Sequence, residues 1–189
     1  RDHRKLGEEL DLFVLSPLVG PGLPLFTPRG TLIREELERF VWELERPHGY
    51  QRVRIPHITK RDLYETSGHW AKFSDELFRI TTREGHEFAM KPMNCPHHTQ
   101  IYAHRKRSYR DLPIRYKEVT AVYRDEQSGE LGGLSRVRMI TQDDAHVFCR
   151  MSQIESECLK IWDIVYKFYK TFKMPLRVRF SRHDPAKMD

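Results

Sequence analysis

The sequence predicts an α+β domain built on a mainly antiparallel sheet flanked by helices. Two strand-like pairs, each joined by turn residues, point to hairpins. The helical stretches lie between and beyond these pairs and do not alternate strand by strand, so few βαβ units are expected. Pro- and Gly-dense punctuation separates the segments, with no internal repeat and no low-complexity linker.

Each element has its own signal. Residues 1–12 suit a short charged helix with Leu6 and Leu10 on one face. Residues 16–24 hold three Pro and two Gly and read as a loop leading to the turn signal Thr27-Pro28-Arg29-Gly30. A helix follows over 32–45, where Ile33, Leu37, Phe40, Val41 and Leu44 keep helical spacing; Thr31 caps it, Glu35 and Glu36 sit in its first turn, and Pro47 and Gly49 stop it. Residues 50–55 alternate as a strand ended by Pro56. A short capped helix is expected over 59–67. Residues 77–81 and 87–91 form a hairpin about Arg83-Glu84-Gly85. Asn94-Cys95-Pro96 starts a helix running to about Arg107, since Pro suits the first turn. A long hairpin joins 114–123 to 136–141 through the glycine-bearing loop 127–133. The last helix has Ser152 and Glu155 as a capping box and Ile154, Cys158, Ile161, Val165, Phe168 and Phe172 in phase, and ends at Met174-Pro175. Leu176, Val178 and Phe180 then alternate with Arg177 and Arg179 as a half-buried strand.

Composition narrows the class of function. The chain has 189 residues with 39% hydrophobic and 11% aromatic content, enough for one packed domain. Lys and Arg exceed Asp and Glu by 33 − 27 = 6, a balance suited to nucleotide phosphates or RNA. There is no run of eighteen apolar residues and so no membrane-span signal, and the first residues lack a signal-peptide core. Three cysteines, Cys95, Cys149 and Cys158, argue against a disulfide framework and for a reducing, cytoplasmic setting. The missing initiator Met suggests a piece of a longer chain.

Several residue groups could carry chemistry. Arg124 ends a strand before a glycine-rich loop, where a guanidinium could clamp a phosphate with two donors; Asp125 or Glu126 could accept from an exocyclic amine. The plainer reading is a pair of solvated charges. Arg136 and Arg138 share a strand face and, with Arg124, would form a positive cluster unless they pair with Glu118 or Glu126. Gln142-Asp143-Asp144-Ala145-His146 follows an apolar strand and offers acceptors for a small polar ligand, or a capping loop before the last helix. Cys95 lies at a helix start, where partial positive charge favours the thiolate and metal binding. Simple packing is the alternative. His97 and His98 follow as decoys or as donors behind a ligand. Cys149 and Cys158 read as core. No catalytic triad, Walker loop or GxGxxG is present.

Five segments together resemble the threonyl-tRNA synthetase family of class II aminoacyl-tRNA synthetases. They are Arg1-Asp2-His3-Arg4-Lys5-Leu6-Gly7, Ser67-Gly68-His69-Trp70, Lys91-Pro92-Met93-Asn94-Cys95-Pro96, Ser108-Tyr109-Arg110-Asp111-Leu112-Pro113, and Arg136-Val137-Arg138 with Thr141-Gln142-Asp143-Asp144-Ala145-His146. They stand in family order across nearly the whole chain.

The resemblance implies that residues 1–189 are the first part of a catalytic domain. Motif 1, at about 31–56, would build a homodimer interface, and motif 2 would lie at about 114–142. The implied activity is threonine–tRNA ligation: ATP activates threonine to threonyl-adenylate, which is transferred to the 3′ end of tRNA(Thr). By the same resemblance Arg124 is the catalytic residue on the ATP α-phosphate, Glu126 meets the adenine amino group and Arg136 is a further ATP contact. Met93, Gln142 and Asp144 would line the threonine pocket, with Asp144 reaching the hydroxyl. Cys95 and His146 would be two of three protein ligands to a Zn²⁺ ion, and Mg²⁺ would accompany ATP. Motif 3, the third zinc ligand, and the editing and anticodon-binding domains are not found in the 189 residues. Ile140 stands where some members place an aromatic residue under adenine. A catalytically inactive relative that binds nucleotide or RNA is the alternative reading. The terminal Lys187-Met188-Asp189 has a superficial likeness to the lysine loop of class I synthetases, and three residues carry almost no information.

Overall fold

The computed structural model describes residues 2–181. The terminal Lys187-Met188-Asp189 and the opening Arg1 lie outside the described residues. The chain forms α1 (His3–Glu9), β1 (Phe13–Val14), β2 (Leu25–Phe26), α2 (Pro28–Glu45), β3 (Tyr50–Arg52), β4 (Ile58–Lys60), α3 (Arg61–Thr66), α4 (His69–Lys72), β5 (Arg79–Thr81), β6 (Glu87–Met90), α5 (Cys95–Ala103), β7 (Ile114–Tyr123), β8 (Met139–Phe148) and α6 (Ile154–Thr171). The expected α+β class holds.

The central sheet has the order β3-β7-β8. β7 and β8 pair antiparallel over their full ten-residue lengths, from Ile114↔Phe148 to Tyr123↔Met139. β3 joins parallel to β7, with Tyr50 opposite Arg115. A smaller antiparallel sheet, β4-β6-β5, sits beside it, and β1 pairs with β2. The two larger sheets are tied through Lys91, whose N–H donates to the His57 carbonyl (2.9 Å) and whose carbonyl accepts from Tyr123 (2.8 Å).

Helix α2 starts earlier than its apolar periodicity suggests. The Thr27 hydroxyl accepts from the Gly30 N–H, and Pro28 occupies the first turn, so the segment read as a turn is the helix start. Gly30 is needed for contact: a Cβ there would fall 1.9 Å from the Leu12 carbonyl oxygen. α2 packs on α6 through Phe40, which stacks on Phe168 (centroids 5.8 Å apart) and meets Phe172 edge-on. The 59–67 helix is split, since residues 58–60 pair with β6 and only Arg61–Thr66 are helical. The turn at Gly85 (φ 81°) closes the β5–β6 hairpin as expected. Tyr64, Trp70, Leu77 and Ala89 form a buried cluster over this small sheet.

Four expectations in the C-terminal half are corrected. The second strand of the long hairpin is Met139–Phe148 and not 136–141: ladder bonding to β7 carries the polar residues 142–146 into the sheet. Ser152 does not cap α6; a short 3₁₀ turn precedes it, and the Gln153 side chain accepts from the Arg150 N–H (2.9 Å). The buried stripe of α6 is centred on Glu157 and Ile164, while Ile154 and Ile161 are exposed, as is Cys158, which is therefore not core. Residues 176–180 form no strand: the alternation is present, but no strand among the described residues offers them a ladder, and Val178 and Phe180 are exposed.

Candidate active site

Strand alternation sorts β8 into two faces. Gln142, Asp144 and His146 are half-buried and face the same side as Thr120, Glu118 and Tyr116, their partners on β7. Thr141, Asp143 and Ala145 point the other way, toward α2 and α6, where an apolar trough lies between Leu37, Val41, Val119 and Phe168. This apolar concavity is thus on the face away from the polar candidates.

The N-terminal turn of α5 lies against the polar face. Asn94, fully buried, donates from Nδ2 to Asp144 Oδ2 at 2.8 Å. His98, also fully buried, shares a proton with His146 between their Nδ1 atoms at 2.8 Å, the rings meeting edge-to-face. Cys95 is exposed at the helix start and Met93 is half-buried beside it. The start of α5 is therefore held against the face of β8 that carries Asp144 and His146, through Asn94 and His98, with Cys95 near enough to Asp144 to feel its charge.

The helix-start argument for a thiolate at Cys95 is corrected. Burial pushes the Cys95 thiol up, the Asp144 carboxylate adds to it, and only the residue's own backbone hydrogen bond pulls it down. Beneath the site runs a polar floor. Lys91 is completely buried and donates to Thr120 Oγ1 (2.8 Å), with Glu118 Oε2 at 4.0 Å. Burial drives the Lys91 ammonium below its ordinary range. His97 bonds Thr59 Oγ1 (2.8 Å), and burial lowers both His97 and His98 to about 4, so both rings are neutral at pH 7. Sequence reasoning missed Lys91, Asn94 and Thr120; the one signal was a charge and an amide within an otherwise strand- and proline-rich stretch.

The loop end of the hairpin carries the arginines. Arg124 is half-buried and its N–H extends the ladder to the Arg138 carbonyl (2.9 Å), yet among the described residues its guanidinium makes no ion pair. Arg136 pairs with Glu126 (2.8 Å) and Glu130 (3.0 Å), and Arg138 donates to the Glu126 carbonyl (3.0 Å). Arg136 and Arg138 lie in the loop before β8, bridged at Gly132, so the shared strand face expected for them is corrected. The strand ends at Met139 because residues 124–138 turn on themselves. Of the three arginines, Arg124 is the cation left for an incoming anion.

An antiparallel hairpin with an arginine at its tip and polar residues along one face is the frame of a class II synthetase catalytic core. Residues 78–187 match the family described as tRNA synthetase class II core domain (G, H, P, S and T), and the chain belongs to that family. Within it, threonine–tRNA ligases are among the chain's relatives. The chain is 53% identical over 186 residues to the threonine–tRNA ligase of Deinococcus radiodurans, covering 98% of this chain and 29% of that protein. To the threonine–tRNA ligase of Porphyromonas gingivalis it is 55% identical over 172 residues, covering 90% of this chain and 26% of the relative. The crystal structure titled as the RNA binding domain of threonyl-tRNA synthetase from Cryptosporidium parvum superposes with a TM-score of 0.87 at 39% identity, over 90% of this chain and 42% of that one. The chain thus spans under a third of the curated relatives it matches.

Proposed function

We propose that the protein carrying this chain is a threonine–tRNA ligase and that residues 2–181 supply its α-phosphate clamp and much of its amino-acid pocket. The observation that carries the reading is the joining of two distant motifs: Asn94 and His98 at the start of α5 bond Asp144 and His146 on one face of β8, while Arg124 at the tip of the same hairpin has no ion-pair partner among the described residues.

The chemistry follows from the donor set. A threonine carboxylate oxygen attacks the ATP α-phosphorus, the bond to the β-phosphate bridging oxygen breaks, and pyrophosphate leaves with its electron pair. The terminal ribose hydroxyl of tRNA then attacks the carbonyl carbon of threonyl-adenylate, and AMP departs. Arg124 acts by holding two α-phosphate oxygens and stabilising charge as it develops, with Mg²⁺ accompanying the nucleotide. Glu126 is oriented by Arg136 and takes the adenine amino group. Gln142 and Met93 bound the amino-acid pocket, and Asp144, held by Asn94, accepts from the substrate hydroxyl.

A thiol and an imidazole are donors that zinc takes, and Cys95 is open to solvent beside the face that carries His146. Among the described residues no three His, Cys, Asp or Glu side chains converge to hold an ion; Cys95 and His146 would supply two of the ligands, and a third would have to come from outside that set. When bound, zinc would be a Lewis acid for the amino and hydroxyl groups of threonine, which separates threonine from near-isosteric valine better than an apolar pocket can. The exposed apolar residues Leu18, Leu32 and Ile33, around and on α2, suit a homodimer through motif 1, which sedimentation of the full-length protein tests.

Threonine-dependent exchange of pyrophosphate into ATP by the full-length, metal-replete protein is the decisive measurement. Exchange with threonine and none with valine is expected. Absence of exchange, with salt-sensitive RNA binding retained, would replace the ligase by a non-catalytic relative.

A further inference from the structure

The contact between α5 and β8 has a regular geometry. Asn94 and His98 are one helical turn apart, with the His98 N–H donating to the Asn94 carbonyl at 3.1 Å. Four residues of helix advance about 6 Å. Asp144 and His146 are two residues apart on a strand, about 6.8 Å. The two spacings nearly match, so one buried helix turn reaches two successive site-facing residues: Asn94 to Asp144 and His98 to His146, each at 2.8 Å.

The His98–His146 bond also dictates which nitrogen of His146 is available. Two ring nitrogens 2.8 Å apart share one proton, so one Nδ1 donates and the other accepts. If His98 accepts, His146 carries its proton on Nδ1 and Nε2 presents a lone pair. If His98 donates, the His146 proton moves to Nε2, where it blocks coordination. The His98 Nε2 is buried without a partner in either case, so nothing on its far side selects between them.

We propose that His98 is a positioning residue that, by accepting a hydrogen bond from the His146 Nδ1–H, keeps the His146 Nε2 lone pair free to bind a soft divalent cation such as zinc. Asn94 is the companion arm, which occupies Asp144 Oδ2 and leaves Oδ1 for substrate. The inference rests on the zinc reading above.

The experiment measures zinc affinity of the full-length protein by chelator competition. His98→Leu keeps the bulk of the ring and removes the acceptor; zinc affinity falls about 10- to 100-fold, the usual cost of losing a partner behind a metal-binding histidine. His98→Asn, whose side-chain oxygen can stand where Nδ1 stood, recovers to within about threefold of the parent on the same scale. Wild-type affinity in His98→Leu overturns the proposal and leaves the zinc reading intact. A parent protein that takes up no zinc, or takes it up equally as Cys95→Ala, overturns both. If the leucine variant does not fold, nitrogen chemical shifts of the zinc-loaded parent decide: His146 with Nδ1 protonated and Nε2 coordinated is expected, and coordination through Nδ1 overturns the proposal.

Discussion

At the scale of single residues, the polar face separates groups that are satisfied from groups that are held in readiness. Arg136 is bound to two glutamates and Arg138 to a carbonyl, whereas Arg124, on the same loop, has no acid partner among the described residues. A planar guanidinium that offers two parallel donors is not replaced by an ammonium. Arg124→Lys is therefore expected to lower the rate of pyrophosphate exchange by about 100-fold with little change in threonine KM, as for removal of one charge-stabilising donor. Initial-rate exchange kinetics check it. These single residues were readable from sequence in part. Arg124 at a strand end and Cys95 at a helix start were visible as types in places. The upward push on the Cys95 thiol was not, because the dipole argument sees only its own helix, while burial first and then the Asp144 carboxylate from the distant strand act against the thiolate.

At the scale of elements, buried polar contacts lock helices to the sheet. Glu157 of α6 accepts from Arg115 of β7 at 2.5 and 2.6 Å, with the carboxylate 5% and the guanidinium 10% exposed. Arg115 holds the Glu157 carboxyl below its ordinary range, with Lys160 assisting. Glu157→Ala strands a buried guanidinium and is expected to cost about 3 kcal/mol in urea unfolding. The contribution of a depressed carboxyl is present above its unfolded value and lost as pH falls through the folded one, so parent and variant should converge in acid. At the start of α2, Gly30→Ala drives a methyl into the Leu12 carbonyl and is expected to lower stability by about 2 kcal/mol, read from the same denaturation curves. Helix periods located α2 and α6 well. The boundaries moved where hydrogen-bonding partners outside the segment intervened: Thr27 extended α2, and the β7 ladder drew residues 142–146 into a strand that their polarity had argued against.

At the scale of the whole molecule, buried ionisable groups set an opposed pair of pH dependences. His97 and His98 sit near 4, below the ordinary 6.5 of histidine, because burial disfavours the charged ring. Between those values the unfolded chain binds protons that the folded one refuses, so stability rises with pH, by on the order of 2–3 kcal/mol for each ring. Glu45, the last residue of α2, is bound to Lys117 at 2.5 Å and is pushed up to about 7, chiefly by burial against the pull of Lys117. Its folded form keeps a proton that the unfolded chain releases above about 4.5, so it lowers stability as pH rises toward 7. The two rings outweigh the one carboxyl, and urea midpoints should rise from pH 4.5 to 6.5. Glu45→Gln removes the opposing slope, and its gain over the parent should grow between pH 5 and 8.

The sequence by itself determined the α+β class, the long hairpin and the principal helices, and it nominated the candidate site residues, because these are written in local periodicity, turn chemistry and ordered motifs. Only the tertiary structure decided that α5 crosses β8 with one turn against two strand residues, that Lys91 lies beneath the site, and that, among the described residues, Arg124 alone of three arginines has no acid partner. Those facts depend on which side chains meet across separations that reach 29 residues for Lys91 and Thr120 and 50 for Asn94 and Asp144. Each such meeting is chosen by packing and by the cost of leaving a buried polar group unpaired, and neither is a property of any one segment.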